Sequence, residues 1–353
     1  MPIENSTSLI LQTLSGDADR GGWQATVSFA NDMDAAGYGR AVDLYDRAVG
    51  DGSWETAFNK ALSGTIVPQN TIFDRRQAHT SVTVSTADFF LNQAGLQGVY
   101  FAVVAAPDPD NPHQATWWSL GKIVKHIIEE HTDITTAAGG WVNTDRIDVL
   151  GSTSVEVFSV RQSNSIWSSL ADIADYEFYV RYFTRNDEFV YEAHPQFKAI
   201  LPAITLAINQ SNIVAQPEII NRNDAKIDQV QLYALRDDGV TLTSDYPTAT
   251  IGVEGRRQKY TNLRCNSQAR LDQLAIRAFL FFSRAYDFKI TLAGAWGCYM
   301  ELYDRITVTY TGTTRNGVNI SWSDKKFWVQ SINVTKLGNY AATTELMLQE
   351  ENV

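Results

Sequence analysis

The chain has 353 residues, 44% of them hydrophobic and 11% aromatic, so it carries enough apolar surface for a sizeable core and is not intrinsically disordered. Its 29 Lys+Arg against 40 Asp+Glu leave a formal charge of −11, which argues against a surface that clamps nucleic acid by neutralising phosphates. The longest apolar runs, such as Gly98–Pro107, are about ten residues and too short to cross a bilayer. Met1-Pro2-Ile3-Glu4 has neither the basic nor the apolar part of a secretory signal, so a soluble protein is expected.

The first stretch reads as strands and turns. Ser8–Leu14, Trp23–Phe29 and Thr80–Thr86 alternate in part, and Gly16-Asp17, Gly21-Gly22 and Asp51-Gly52 punctuate them as turn candidates. Short strands at this spacing predict a sandwich or barrel. Pro107-Asp108-Pro109-Asp110-Asn111-Pro112 is an expected exposed loop, followed by a helix that Thr116 can cap. In that helix Leu120, Ile123, Val124, Ile127 and Ile128 make one apolar stripe. A second helix is predicted from Asn164, with Ile166, Trp167, Leu170, Ile173 and Ala174 on one face. It leads into strand-like runs Tyr176–Tyr182 and Glu188–Glu192, and together these form a small α/β unit.

A long helix is expected over Gln268–Ala285, capped by Asn266 or Ser267, with Leu271, Leu274, Ala275, Ala278, Phe281 and Phe282 on its apolar face. Then come alternating strands Phe288–Leu292, Arg305–Thr311, Val318–Trp322, Lys326–Thr335 and Thr343–Gln349, the pattern of a half-buried antiparallel sheet or barrel. Asn316-Gly317 predicts a type I′ hairpin turn.

No constellation for catalysis emerges. His126 and His131 are five apart where a two-histidine metal helix needs four. On a helix that leaves the rings roughly 140° apart, so ordinary histidines near a helix end are expected. Gly37-Tyr38-Gly39-Arg40 lacks the strand-to-helix context of a phosphate cradle. The prolines around Asp108, Asp110 and Asn111 suit a rigid projection better than a Ca²⁺ loop. Cys265 and Cys298 cannot build a disulfide framework or a zinc site and are expected as buried thiols. The sequons at Asn5, Asn209, Asn319 and Asn333 matter only in a eukaryotic secreted protein. Arg256-Arg257-Gln258-Lys259-Tyr260 is the one short basic cluster; it reads as a subunit-interface patch ahead of a phosphate contact. Trp117, Trp118, Trp322 and Trp328 read as core or interface ahead of ligand stacking. The expected catalytic, cofactor-binding and metal residues are none.

The order of elements resembles the tail-hub or baseplate-hub family of tailed bacteriophages, related to late control protein D and to prophage tail proteins of the endopeptidase-tail type. Asn164–Tyr182 with Glu188–Glu192, Arg270–Leu292 and Ala295–Gln349 carry the likeness. The last includes Leu302–Val308 and the run Trp328–Ile332. Trp23–Phe29 and the stretch around Trp54, Phe58 and Gly64 fit more loosely.

The resemblance implies an α+β, mainly β chain with two tail-tube-like antiparallel β-barrels and an inserted small α/β unit. Residues 1–110 would form the first barrel, completed by part of 200–260. Residues 111–199 would be the α/β insertion, and 200–353 the second barrel with helix 267–285. It implies a homotrimer whose barrels make a pseudo-hexameric ring in the virion tail, assembled in the host cytoplasm. The implied partners are distal tail or tail tube proteins, tail fibre or tip proteins and a tape-measure protein. DNA would pass through the lumen without specific binding, with no enzymatic activity, no cofactor and no membrane insertion. An acidic wall lets phosphate slide, and aromatic-rich, Lys-poor surfaces suit permanent interfaces. The rival readings are a hexameric distal tail protein and, from an unrelated class, a carbohydrate-binding or hydrolase module.

Overall fold

The computed structural model describes residues 9–29, 41–47, 58–67, 80–95, 99–102, 118–136, 140–149, 154–155, 157–160, 165–198, 200–220, 227–236, 239–248, 255–265, 267–282, 287–337 and 341–351. Strands β1 (Leu9–Asp17), β2 (Gly22–Phe29), β3 (Ala41–Arg47), β4 (Phe58–Val67) and β5 (Thr80–Ser85) open the chain. A mixed region follows: α1 (Asp88–Gln93), β6 (Val99–Ala102), β7 (Trp118–Ser119), α2 (Leu120–Glu130), β8 (Asn143–Ile147), β9 (Ser154–Val155), β10 (Val157–Val160), α3 (Ile166–Glu177), β11 (Tyr179–Phe183) and β12 (Glu188–Ala193). Then come β13 (Leu206–Ile208), β14 (Glu218–Ile220), β15 (Gln229–Leu235), β16 (Thr241–Tyr246), β17 (Arg257–Arg264) and α4 (Gln268–Phe282). The chain closes with β18 (Asp287–Ala293), β19 (Arg305–Thr313), β20 (Asn319–Leu337) and β21 (Ala341–Glu350). The architecture is α+β and mainly β, as the sequence predicts.

One sheet runs through both ends of the chain, in the order β14-β18-β21-β20-β1-β2-β5-β4-β3, with β19 pairing β20 and β13 pairing β19. The runs Val318–Trp322 and Lys326–Thr335, expected as two strands, are one strand of 19 residues. The Ser-Asp-Lys stretch between them is a bulge. Thr309 faces two residues where one would fit, and Asp324 takes a φ of 50° there. The Thr309 hydroxyl both accepts from the Asp324 N–H (3.1 Å) and donates to its carboxylate (2.9 Å), which satisfies the groups the bulge removes from the ladder.

Two partners share one edge of β20 end to end. β19 pairs with its first half (Arg305↔Trp328 to Thr313↔Asn319) and β1 with its second (Thr13↔Thr335 to Asp17↔Ser331). β21 holds the opposite edge. One apolar core therefore extends under both halves, from Leu14, Trp23 and Leu62 to Trp322, Ile332 and Leu348.

The segment between β13 and β14 acts as a strap. β13 lies parallel to β19, and β14 lies antiparallel to β18, so residues 206–220 leave one edge of the β19-β20-β21-β18 run and arrive at the other. Gln210 imitates a backbone partner: its side-chain amide donates to the Thr311 carbonyl (3.2 Å) and accepts the Thr311 N–H (3.3 Å). Residues 206–220 thus belong with the last strands and not, among the described residues, with β1–β5. Strands β15–β17 make a separate sheet of order β16-β15-β17, whose core with α4 holds Val230, Leu232, Leu271 and Leu274.

The α/β unit has its own core. All five predicted stripe residues of α2 are fully buried, as are Leu170 and Ile173 of α3. The caps differ from expectation: Ser119 caps α2, its hydroxyl accepting the Lys122 N–H, and Ser165 caps α3. Thr116 and Asn164 lie outside the described residues. The strand expected at Tyr176 begins at Tyr179, because α3 continues to Glu177 and ends on Phe178 in the left-handed conformation (φ 54°). Of the turn candidates, Gly21 (φ 73°) closes the β1–β2 turn, Gly16-Asp17 continues the strand, and Asp51-Gly52 is outside the described residues. α4 ends at Phe282. The β19–β20 hairpin is not type I′. Gly317 alone is left-handed (φ 80°), and Thr314 receives the Gly317 N–H and gives its own to Val318, the pattern of a three-residue loop with a glycine bulge.

That hairpin tip anchors the strap: the Asn316 side chain accepts the Ile219 N–H (2.8 Å), and Arg315 N–H donates to the Pro217 carbonyl (2.8 Å). Asn316→Ala is expected to speed hydrogen exchange at the Ile219 amide roughly fivefold, equivalent to about 1 kcal/mol. Amide-resolved exchange measured by NMR or mass spectrometry checks it; unchanged protection would mean the tip does not hold the strap.

Candidate functional site: the seam and its polar face

The junction of β1, β19 and β20 gathers the contacts that tie the parts together. Trp328, fully buried, sits where β19 gives way to β1, with the His194 ring edge-on at 5.5 Å. Arg305, at the start of β19, forms a two-pronged pair with Glu351 (2.7 and 2.9 Å) and donates to the Pro202 carbonyl (3.1 Å). This one guanidinium fixes the start of β19, the chain after β21 and the approach to the strap. At 12% and 7% side-chain exposure the pair is well shielded, where a forked geometry counts for more than on an open surface.

The β11–β12 hairpin plugs into the same junction through Arg185. The Arg185 N–H donates to both Glu301 oxygens (3.2 Å each) and its Nε donates to Glu301 (2.9 Å). Its Nη1 donates to the Cys298 carbonyl, and its own carbonyl accepts the Ser63 N–H of β4 (2.6 Å). The α/β unit is thereby bonded to the first strands and to the last at one residue. It grips the β1–β2 turn too: Trp167 Nε1 donates to the Arg20 carbonyl (3.1 Å), and the Phe183 N–H donates to that of Gly21 (2.8 Å). In that turn Arg20 reaches the buried Asp88 at 3.0 Å.

Burial pushes the Glu301 carboxyl up to about 7 against the opposing pull of Arg185, and the neighbouring Asp304 adds a smaller upward push. Burial also raises Asp304, whose carboxylate accepts the Glu301 N–H (2.8 Å). With 26% of the Glu301 side chain still reaching solvent, the carboxyl can exchange its proton with water.

The outward face of the seam is mostly polar, with Met347 as an apolar member. Register aligns Gln24, Ser15, Asn333, Glu345 and Thr291 in one row across β2, β1, β20, β21 and β18. The next outward row is Thr26, Thr13, Thr335 and Thr343. Between them lies the row Ala25, Leu14, Val334, Thr344 and Leu292, all fully buried. Two cations touch these rows: Lys289 is paired to Glu345 at 2.9 Å, and Arg20, paired to Asp88 at 3.0 Å, donates to the Gln24 side chain (2.8 Å). Hydroxyls and amides with their neighbouring cations already paired offer a polymer many weak, exchangeable contacts and no clamp.

The other sequence candidates take bland places. His126 and His131, expected to point apart, have ring centroids 5.6 Å apart, because His131 has left helical geometry (φ −111°, ψ 8°). Among the described residues no group of three or more His, Cys, Asp or Glu could hold a metal. Cys265 and Cys298 are buried free thiols. Trp322 packs in the core against Phe288 at 4.8 Å. Asn319 and Asn333 are exposed strand residues, and Asn209 caps a short turn. Arg256–Tyr260 lies at and in β17. Gly37–Arg40, Asp108, Asp110, Asn111, Trp117 and Asn5 are outside the described residues. Sequence reasoning missed Arg185 and Glu301, which sit 116 residues apart with no local signal to link them.

Solved structures share this fold. A tail protein from Neisseria meningitidis superposes with a TM-score of 0.63 at 12% identity, covering 98% of this chain and 96% of its own. The 43 kDa tail protein of prophage MuSo2 from Shewanella oneidensis gives 0.57 at 10% identity, covering 98% and 97%. An E. coli component of the type VI secretion system, itself structurally similar to T4 bacteriophage tail proteins, gives 0.55 at 8% identity, covering 99% and 76%. No protein-family model matches the chain, and no curated protein matches it. The chain has the α+β, mainly β fold of phage tail proteins.

Because Glu301 is raised from its ordinary 4.5, the folded state holds a proton that the unfolded state has lost, and this contribution to stability falls as pH rises from about 4.5 to about 7. The melting temperature of Glu301→Gln minus that of the parent is therefore expected to increase between pH 5 and pH 8. Thermal melts across that range test it, and a flat difference would show that the site does not titrate there.

Proposed function

We propose that the chain is a non-enzymatic tail hub subunit, three copies of which close a pseudo-hexameric ring that joins the tail tube to the tail tip and lines the DNA channel. The observation that supports this reading is the shared strand: β1–β5 and β18–β21 with their strap meet along β20 in one sheet, and we read the two groups as two β modules side by side. Three chains with two modules each present six modules around an axis, which matches a threefold tip to a sixfold tube. In this reading the first barrel falls within residues 1–110, the α/β insertion within 111–199, and the second barrel within 200–353. The second barrel takes the 206–220 segment, and β15–β17 with α4 stands as an outgrowth between its strands.

The fold shared with tail proteins supports the same role. The polar face across the seam is the surface suited to line the bore, since DNA passing it meets hydroxyls, amides and little free cation. The Arg185 plug gives the outer α/β unit a route to pass movement to the ring. The partners in this reading are distal tail or tail tube proteins, tip or fibre proteins and a tape-measure protein, in the virion tail.

Native mass spectrometry of the purified protein is expected to give a trimer. A hexamer would favour a distal tail ring, and a stable monomer would favour a carbohydrate-binding module. Placing a cation on the proposed bore, Asn333→Arg, is expected to leave the trimer intact and slow DNA release from assembled particles by roughly tenfold. Unchanged release, measured by dye uptake on ejection, would move the bore to another face.

A further inference from the structure

The strap and its approach carry a different kind of surface. Between Lys198 and Glu218 the sequence holds no Asp, Glu, Lys, Arg or His, in a chain of which 20% is charged. Leu206, Ile208, Ile213 and Ile219 turn inward, in or against the main core. Ile200, Ala203, Ile204, Ala207, Val214 and Ala215 do not: all six are exposed, Ile200 at 86% and Val214 at 56%. A segment that needs one face for its own core ordinarily sets polar residues on the other. The charges at either end of the stretch are already satisfied, Lys198 by Glu192 (2.8 Å) and Glu218 by Arg315 (3.5 Å). The backbone beneath is fixed as well. The Thr205 N–H donates to the Arg305 carbonyl (2.8 Å) and the Val214 N–H to that of Thr291 (2.9 Å), and in the turn between them the Asn212 side chain accepts the Asn209 N–H (3.1 Å). An apolar centre bounded by paired charges, on backbone that needs no ordering, is the makeup of a protein contact.

From this geometry we infer that the uncharged outer surface of the strap is where one copy of the chain packs against a second copy. Charge selects the occupant. With a net charge of −11, two copies repel wherever their acidic surfaces meet, and a stretch without charge is where that repulsion is least. A strongly charged partner gains nothing here, because the strap offers no group of opposite sign to pair with it, and phosphates find no cation. A permanent apolar contact also suits a partner made alongside the chain, which a second copy always is. The inference rests on the hub reading only in taking the copies to associate; it does not depend on their number.

The test follows self-association of the full chain by sedimentation velocity and native mass spectrometry over a concentration series. Ile200→Glu with Val214→Glu is expected to keep the parent's circular dichroism and melting temperature, since both side chains stand in solvent in the single chain. It is expected to weaken association by roughly a hundredfold or more, and Ile200→Lys with Val214→Lys to do the same. Val240→Glu, which sets a carboxylate on an exposed apolar residue of the β15–β16 turn, is expected to leave association unchanged. A photoreactive side chain in place of Ile200 is expected to join two copies on irradiation. The inference is overturned if the strap variants assemble as the parent does, if Val240→Glu disrupts assembly equally, if no joined pair forms, or if the parent stays monomeric at every concentration. A parent trimer undisturbed by the strap variants would remove this inference and leave the hub reading. A parent hexamer dispersed by them would remove the hub reading and leave this inference.

Discussion

A backbone ladder cannot be shared loosely. Every N–H and C=O along β20 must find a partner, and one edge of that strand is divided between β19 and β1 with Trp328 at the join. Sliding either partner by one residue would turn its alternating side chains over, setting Leu14 or Ile306 outward and Ser15 or Thr307 inward. The two halves of the chain are therefore locked in register to one another, and the continuity of both the buried core and the polar face follows from that lock.

The remaining parts hang from the same place. The α/β unit packs its own core around α2 and α3 and meets the sheet in two ways, through directional bonds at Arg185, Trp167 and Phe183 and through Val180, Tyr182 and Val190, which join the main core. Toward the β15–β17 sheet, Glu177, fully buried at the end of α3, receives Arg270 of α4 at 3.4 Å, and Tyr176 and Phe178 pack against that sheet's core. At each joint a directional bond is backed by apolar side chains shared with the neighbouring core, so the parts are held in a fixed relation.

What the sequence reveals is the local part. The α2 stripe is legible because five apolar residues at helical spacing admit one buried face, and the alternation in β18, β19 and β21 is legible for the same reason at period two. The mainly β class and the small α/β unit follow. The length of β20 was not legible, since Ser323-Asp324-Lys325 reads as a break and becomes a bulge only when Thr309 stands opposite. The strap was not legible either: Leu206–Ile208 and Glu218–Ile220 are too short to signal strands, and their pairing is set by residues about 70 to 100 positions away. The Arg185–Glu301 contact is equally remote in the chain.

The strap also bears on synthesis. β1, β13 and β14 leave the ribosome well before β18, β19 and β20, the strands they pair with. Until those follow, β13 and β14 have no ladder to join and β1 has β2 on one edge only, a state in which nascent chains are vulnerable to misassembly. The α/β unit, whose strands and helices find partners within or near their own stretch, can become compact first. Completion of the large sheet thus waits for the last strands, and the outer edge of the earliest-made strand is among the last to be paired.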